Sequence, residues 1–252
     1  MFGEHFYNKN IRNIIIVFGT VFNDISIVRA NSSGGIDHTF KVPIAYGPSQ
    51  KYLARLDERR IEDTDHNVAI TLPRMSFEVT SMSYDPQRKL QRTKRHKQEI
   101  ETDNTALITA YTPVPYNFDI ELNVMVKNSD DGAQILEQIM PFFTPEFHVT
   151  MNEMSSLGIK RDIPIIMTSL TTSDTYEGDF LTRRALIHTL TFTVQGFVYG
   201  PTKNIEIIRE VNVNVGANLP GTEPDKNINV QPNPEDAGPE DDFGFTTTVT
   251  DG

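Results

Sequence analysis

The stretch from Pro115 to Phe147 constrains this chain most, because within it a strand pattern runs directly into a helix pattern. Tyr116, Phe118, Ile120, Leu122, Val124 and Val126 occupy alternate positions, and Asn117, Asp119, Glu121, Asn123 and Lys127 fill most of the places between and after them. That period of two describes a strand with one face buried. Asp131 is then placed to cap a new helix, with Gln134 three residues on completing a capping box, and Ile135, Leu136, Ile139 and Met140 form one apolar stripe. Pro141 has no N–H to donate and its ring clashes with the carbonyl one turn back, so it ends the helix. The chain leaves through Phe142, Phe143, Pro145 and Phe147. This strand and helix are expected to form the core.

The flanking patterns are mostly strand-like. Ile11, Ile14, Ile15, Phe18, Val21 and Phe22 keep helical spacing, with Asn8 or Asn10 as the cap, although the β-branched residues among them also permit a strand. Ile25 and Ile27, then Phe40, Val42 and Ile44, alternate on either side of a Ser/Gly turn at 31–35, which predicts a hairpin with an exposed tip. A short amphipathic helix is expected from Ser49 through Leu56. Val68 to Tyr84 reads as strand, with Pro73 marking an edge or a break. Further strands are expected at 148–154, at 163–170 before a polar turn at 173–179, at 186–194 and across 205–215. Several strands follow one another without a crossover helix. The predicted class is therefore α+β, with a largely antiparallel sheet and a few short flanking helices.

Charge divides the chain. Of the net −11, the segment 218–252 carries eight acids and one lysine, or −7, leaving −4 for the rest. That segment is rich in Pro, Gly and Asn and poor in apolar residues, and is expected to be disordered in isolation. The domain prediction is one α+β domain over 1–217, interrupted by a basic loop at 85–105, and then this acidic tail. With no cysteine the chain has neither disulfides nor a thiolate metal site. The apolar run at 14–18 is too short for a signal peptide or a membrane span, so the expectation is a protein that stays in the cytoplasm where it is made.

Catalysis finds no visible home. The six histidines show no metal-binding spacing, and His188 on a strand face reads as a satisfied core or interface side chain. No nucleophile elbow and no phosphate-cradling glycine loop occurs, and no cofactor is indicated. The carboxylates cluster in the tail, where solvation leaves them ordinary. Arg88, Lys89, Arg92, Lys94, Arg95 and Lys97 place six cations within ten residues. Such a loop could neutralise phosphates, but it lacks the interleaved aromatics of single-strand binders and the whole chain is acidic. An acidic protein partner is favoured over nucleic acid, with a plain solvated loop next. Phe142, Phe143 and Phe147 are further candidates for partner contact, with the core expected to claim at least two of them. Phe243 and Phe245, in a strand-like run ending at Val249, could add to a neighbour's sheet edge.

Several segments taken in order resemble the tail sheath stabiliser and completion family of T4-like contractile-tailed bacteriophages. They are Met1–Gly3 with Phe6–Asn8, Val42–Tyr46, Leu72–Arg74, Glu137–Phe143 with Pro145 and Phe147, Lys160–Pro164, Arg183–Arg184, and Leu190–Phe192 through Gly196 and Tyr199 to Pro201. The resemblance covers 1–201 in patches and leaves the basic loop and acidic tail without a counterpart. It implies a non-catalytic virion protein forming a hexameric ring at the head-proximal end of the tail. There the family caps the tube with the tube terminator, holds the last sheath ring and offers a docking surface to the head-neck proteins. Nucleic acid would enter only as DNA passing through the ring. The alternatives are a nucleic-acid-binding module resting on 88–97, and a small hydrolase, which would need a cleft with perturbed carboxylates or histidines.

Overall fold

A computed structural model describes residues 5–30, 36–57, 72–100, 103–175, 185–206, 208–216, 226–238 and 241–251. In chain order the elements are α1 (Asn10–Val21), β1 (Ser26–Ala30), β2 (Ile36–Lys41), β3 (Ile44–Tyr46), α2 (Ser49–Asp57), β4 (Arg74–Tyr84), β5 (Arg95–Ile100), β6 (Asp103–Tyr111), β7 (Val114–Val126), α3 (Ser129–Ile139), β8 (Glu146–Met154), β9 (Ile159–Thr175), β10 (Ala185–Val198), β11 (Thr202–Glu206), β12 (Val211–Val215), β13 (Lys226–Asn233) and β14 (Gly244–Asp251). A six-stranded sheet in the order β3-β4-β7-β10-β9-β8 forms the body. Its pairs are antiparallel except β3 with β4. The α+β expectation therefore holds, with one parallel edge.

β7 and β10 stay in unbroken register from Val126 opposite Leu186 to Val114 opposite Val198. Residues directly opposed in such a pair point to the same face. One face thus stacks Phe118 with Val194, Ile120 with Phe192 and Leu122 with Leu190, and β4 adds Met75 and Phe77. Onto this face α1 lays Ile14, Phe18 and Phe22, and α3 lays Ile135 and Ile139, all of them buried. Phe18, Phe22, Phe143 and Phe192 meet with ring centroids 4.9 to 6.1 Å apart. Each large side chain buried here stabilises the fold by about 1.5–3 kcal/mol. The other face is polar where no helix covers it: Thr189 donates to Asn123, and Thr193 and Ser81 both donate to Asp119.

Local details depart from the sequence reading. α1 forms as expected, but neither asparagine caps it. Asn8 donates to the carbonyls of Tyr199 and Gly200, and Asn10 to that of Glu153, while Lys9 takes up a left-handed backbone conformation at the N-cap. α3 begins at Ser129 after Asn128, with no side-chain cap. Asp131 is instead buried and accepts from Arg29 at 2.9 Å, and Gln134 accepts the backbone N–H of Val28. Four residues on, Gln138 exchanges hydrogen bonds with the backbone of Ser26, so glutamines one helical turn apart cover the free edge of β1. The hairpin of β1 and β2 is present, and its tip at 31–35 lies outside the described residues. Ile44 leaves that hairpin to start β3. β9 continues to Thr175, past the start of the turn expected at 173–179, whose remainder lies outside the described residues, and the single strand expected across 205–215 is two, β11 and β12.

Strands also occur in the two segments given least structure in advance. Residues 95–100 are not loop: they form β5, paired with β6, which pairs in turn with β11. β5 shows no apolar alternation because its described residues lie at or near the surface, and the apolar Ile108 and Ala110 sit on the partner strand. Likewise, β13 and β14 lie in the segment expected to be disordered and build a second three-stranded sheet with β12. Composition across the whole tail hides a local period of two in Asn227 to Gln231, whereas β14 falls in the run from Phe243 to Val249 already read as strand-like.

Candidate functional site

The six cations divide between anchored and exposed. Arg88 donates to Asp85 at 2.8 Å, to Asn117 at 2.8 Å and to the Tyr116 carbonyl, with its guanidinium 5.1 Å from the Phe197 ring centroid. This is a strut between the turn after β4 and the start of β7, and the Arg88 hydrogen bond holds the Asp85 carboxyl below the usual carboxylate range. Arg95 is exposed, yet it lies over the Tyr111 ring and donates to the Tyr111 hydroxyl at 2.8 Å. Lys89, Arg92, Lys94 and Lys97 are exposed.

The aromatic candidates separate the same way. Phe143 is 8% exposed and packs on Phe22, Phe147 and Phe192, which removes it as a partner contact. Its ring fills the gap between α1 and β10. Phe147 is half-buried against the same core, and Phe142, on the 3-10 turn that Pro141 starts, is 64% exposed. Phe243 and Phe245 are exposed at and beside β14.

Sequence reading missed a buried polar cluster where the body meets the β11-β6-β5 sheet. Glu153, 1% exposed at the end of β8, accepts from the Tyr199 hydroxyl at 2.7 Å and from Arg161 Nε at 3.2 Å. Arg161 also lies over Phe197, with its guanidinium 4.2 Å from the ring centroid. Desolvation pushes the Glu153 carboxyl up, against the opposing Tyr199 and Arg161 contacts, and pushes the Tyr199 phenol up as well. A perturbed acid beside an arginine can mark catalysis. Here Glu153 and Tyr199 are both enclosed, so the cluster works as a clamp on the N-terminus of α1 and the ends of β8, β9 and β10. No local pattern joined its members, since Tyr199 lies 46 residues along the chain from Glu153.

His188 is buried on the core face, with Nδ1 2.9 Å from the Thr172 hydroxyl and Nε2 against Gly132 of α3. Burial holds its pKa below the ordinary value. Among the described residues no cluster of His, Asp or Glu is arranged to hold a metal, and no helix is long and apolar enough to cross a membrane.

What remains available to a partner is surface: the exposed cations on the turn before β5 and on β5 itself, Phe142, and the C-terminal sheet. A family model described as T4-like virus Myoviridae tail sheath stabiliser matches residues 5–251. The tail completion protein gp15 of Enterobacteria phage T4 is 32% identical over 264 aligned residues, which take in 99% of this chain and 95% of that protein.

Proposed function

The chain belongs to the T4-like Myoviridae tail sheath stabiliser family, and from that premise we propose that it closes the head-proximal end of a contractile tail as a ring of six identical copies. A match running almost from end to end carries this reading, because it takes in the β5 hairpin and the C-terminal sheet as well as the body. The family is one of structural tail proteins. In the proposed role the ring caps the tube together with its terminator, holds the last sheath ring and receives the head-neck proteins. It acts by binding alone and is made in the host cytoplasm.

Physical features favour the assembly. The body sheet ends in β3 at one side and β8 at the other, and free edges are liabilities that a neighbouring subunit can cover. A heterologous contact between identical chains closes into a ring when its rotation allows. The test is mass measurement by native mass spectrometry and sedimentation, on the protein alone and mixed with tail tubes and sheath. A sixfold mass on tails is expected, and strictly monomeric protein on complete tails would overturn the reading.

A further inference from the structure

The sheet of β12, β13 and β14 has one apolar and one polar face. Its registers set Val211 beside Val230, Val213 beside Ile228 and Val249, and Pro232 beside Phe245, all on one side. The opposite side carries a ladder of amides and hydroxyls, with Asn229 donating to Asn212 and Glu210. Amphipathic sheets normally turn the apolar side inward. This one leaves it in water: Val213 is 45% exposed, Val249 54% and Phe245 74%. A small sheet with an open apolar face lacks the covering layer that makes such units stable.

Resting on the ring reading above, we propose that this face packs against a second copy of the chain. Two observations select that occupant. The charged pair on the face, Lys226 opposite Asp251, satisfies itself at 3.8 Å, so no net charge is offered to an acidic or basic foreign partner. The second is size. Strands of up to eight residues, three abreast, present roughly 300–400 Å², and covering this from both sides falls below the ~1,200 Å² at which a separate protein is held specifically. Such a patch suits one part of a larger contact between copies already held side by side.

The chain has no cysteine, so Val213→Cys in the full-length protein carries a single thiol-linked benzophenone. Unlabelled and isotope-labelled chains are mixed and irradiated in solution and on assembled tails. Expected are species of twice the chain mass whose cross-linked peptides pair the two isotopes. Their yield should be several-fold above that from Asn214→Cys on the polar face. Val213→Lys with Val249→Lys should weaken association while the far-UV spectrum is retained. If the protein is oligomeric by mass but cross-links to another tail protein, or no better than Asn214→Cys, this surface is overturned and the ring stands. Monomeric mass in solution and on tails overturns both.

Discussion

Glu153 offers a pH test that no surface carboxylate can imitate. Its folded-state pKa is raised, so between the ordinary value of 4.5 and the raised one the native state holds a proton that the unfolded state has lost. Stability must then fall as pH rises through that window and level off above it. Asp85 and Glu210 have lowered values and act in the opposite sense, losing their contribution as pH falls through the acid range. His188 is also lowered, so it costs stability as pH drops below 6.5. Denaturant titrations of wild type and Glu153→Gln, compared from pH 4.5 upward, should therefore show the wild type losing stability relative to the variant as pH rises. Gly132→Ala sets two magnitudes against each other. Helix propensity favours alanine by about 1 kcal/mol, but the new Cβ would lie 2.5 Å from His188 Nε2, and overpacking costs ~1–3 kcal/mol. With the ring already held by Thr172, a net loss of stability is expected on urea denaturation. Neither contact was legible beforehand. A period of two told which face His188 occupies, but not that α3 would bring a glycine against it.

At the scale of elements, legibility followed burial. β7 and β10 could be read because one face of each is covered along most of its length, which writes the period into the sequence. β5 and β12 lie at the surface and their composition follows charge and amide content, so they were read as loop and as part of a longer strand, whereas β14 kept enough pattern for Phe243 to Val249 to read as strand-like within the tail. Asp131 and Gln134 had the spacing of a capping box, yet Arg29 and β1 claimed them, and a local rule cannot see a partner a hundred residues away. The turn before β5 and β5 itself give a test of this. Replacing Arg92, Lys94 and Lys97 with serine removes exposed charge only, and should leave the unfolding midpoint nearly unchanged. Any partner that uses them should attach more slowly, with a difference that shrinks in salt. Arg88→Ser should do the reverse, lowering the midpoint by several degrees because Asp85 and Asn117 lose their donor. Stopped-flow attachment to sheath and to heads, beside thermal melts, separates the two. Unchanged attachment at low salt for the triple variant would reduce these cations to solvated surface.

For the whole molecule, the family and the α+β class were legible from spaced motifs and strand order, because both depend on patterns that survive without knowing any contact. β12 lies before residue 217 and its partner β13 after it. Ending the chain at residue 216 should leave the body's cooperative unfolding as it was, because among the described residues the core of α1, α3 and the six-stranded sheet includes none from the tail. Self-association should weaken, as read by sedimentation. A large drop in the body's melting temperature would contradict this. The long register of β7 with β10 bears on a matter separate from stability at rest. β10 is opposed by thirteen residues of β7 on one side and ten positions of β9 on the other. Tension along these strands loads the ladder rungs together, in shear, whereas tension across them parts the rungs one after another, like a zip. In the role proposed above, at the end of a tail that shortens under load, a subunit would therefore resist or yield according to the direction of pull. Optical-trap handles fixed to Leu186 of β10 and Val114 of β7, at opposite ends of their ladder, should show a clearly higher rupture force than handles that pull β10 and β8 apart across the sheet.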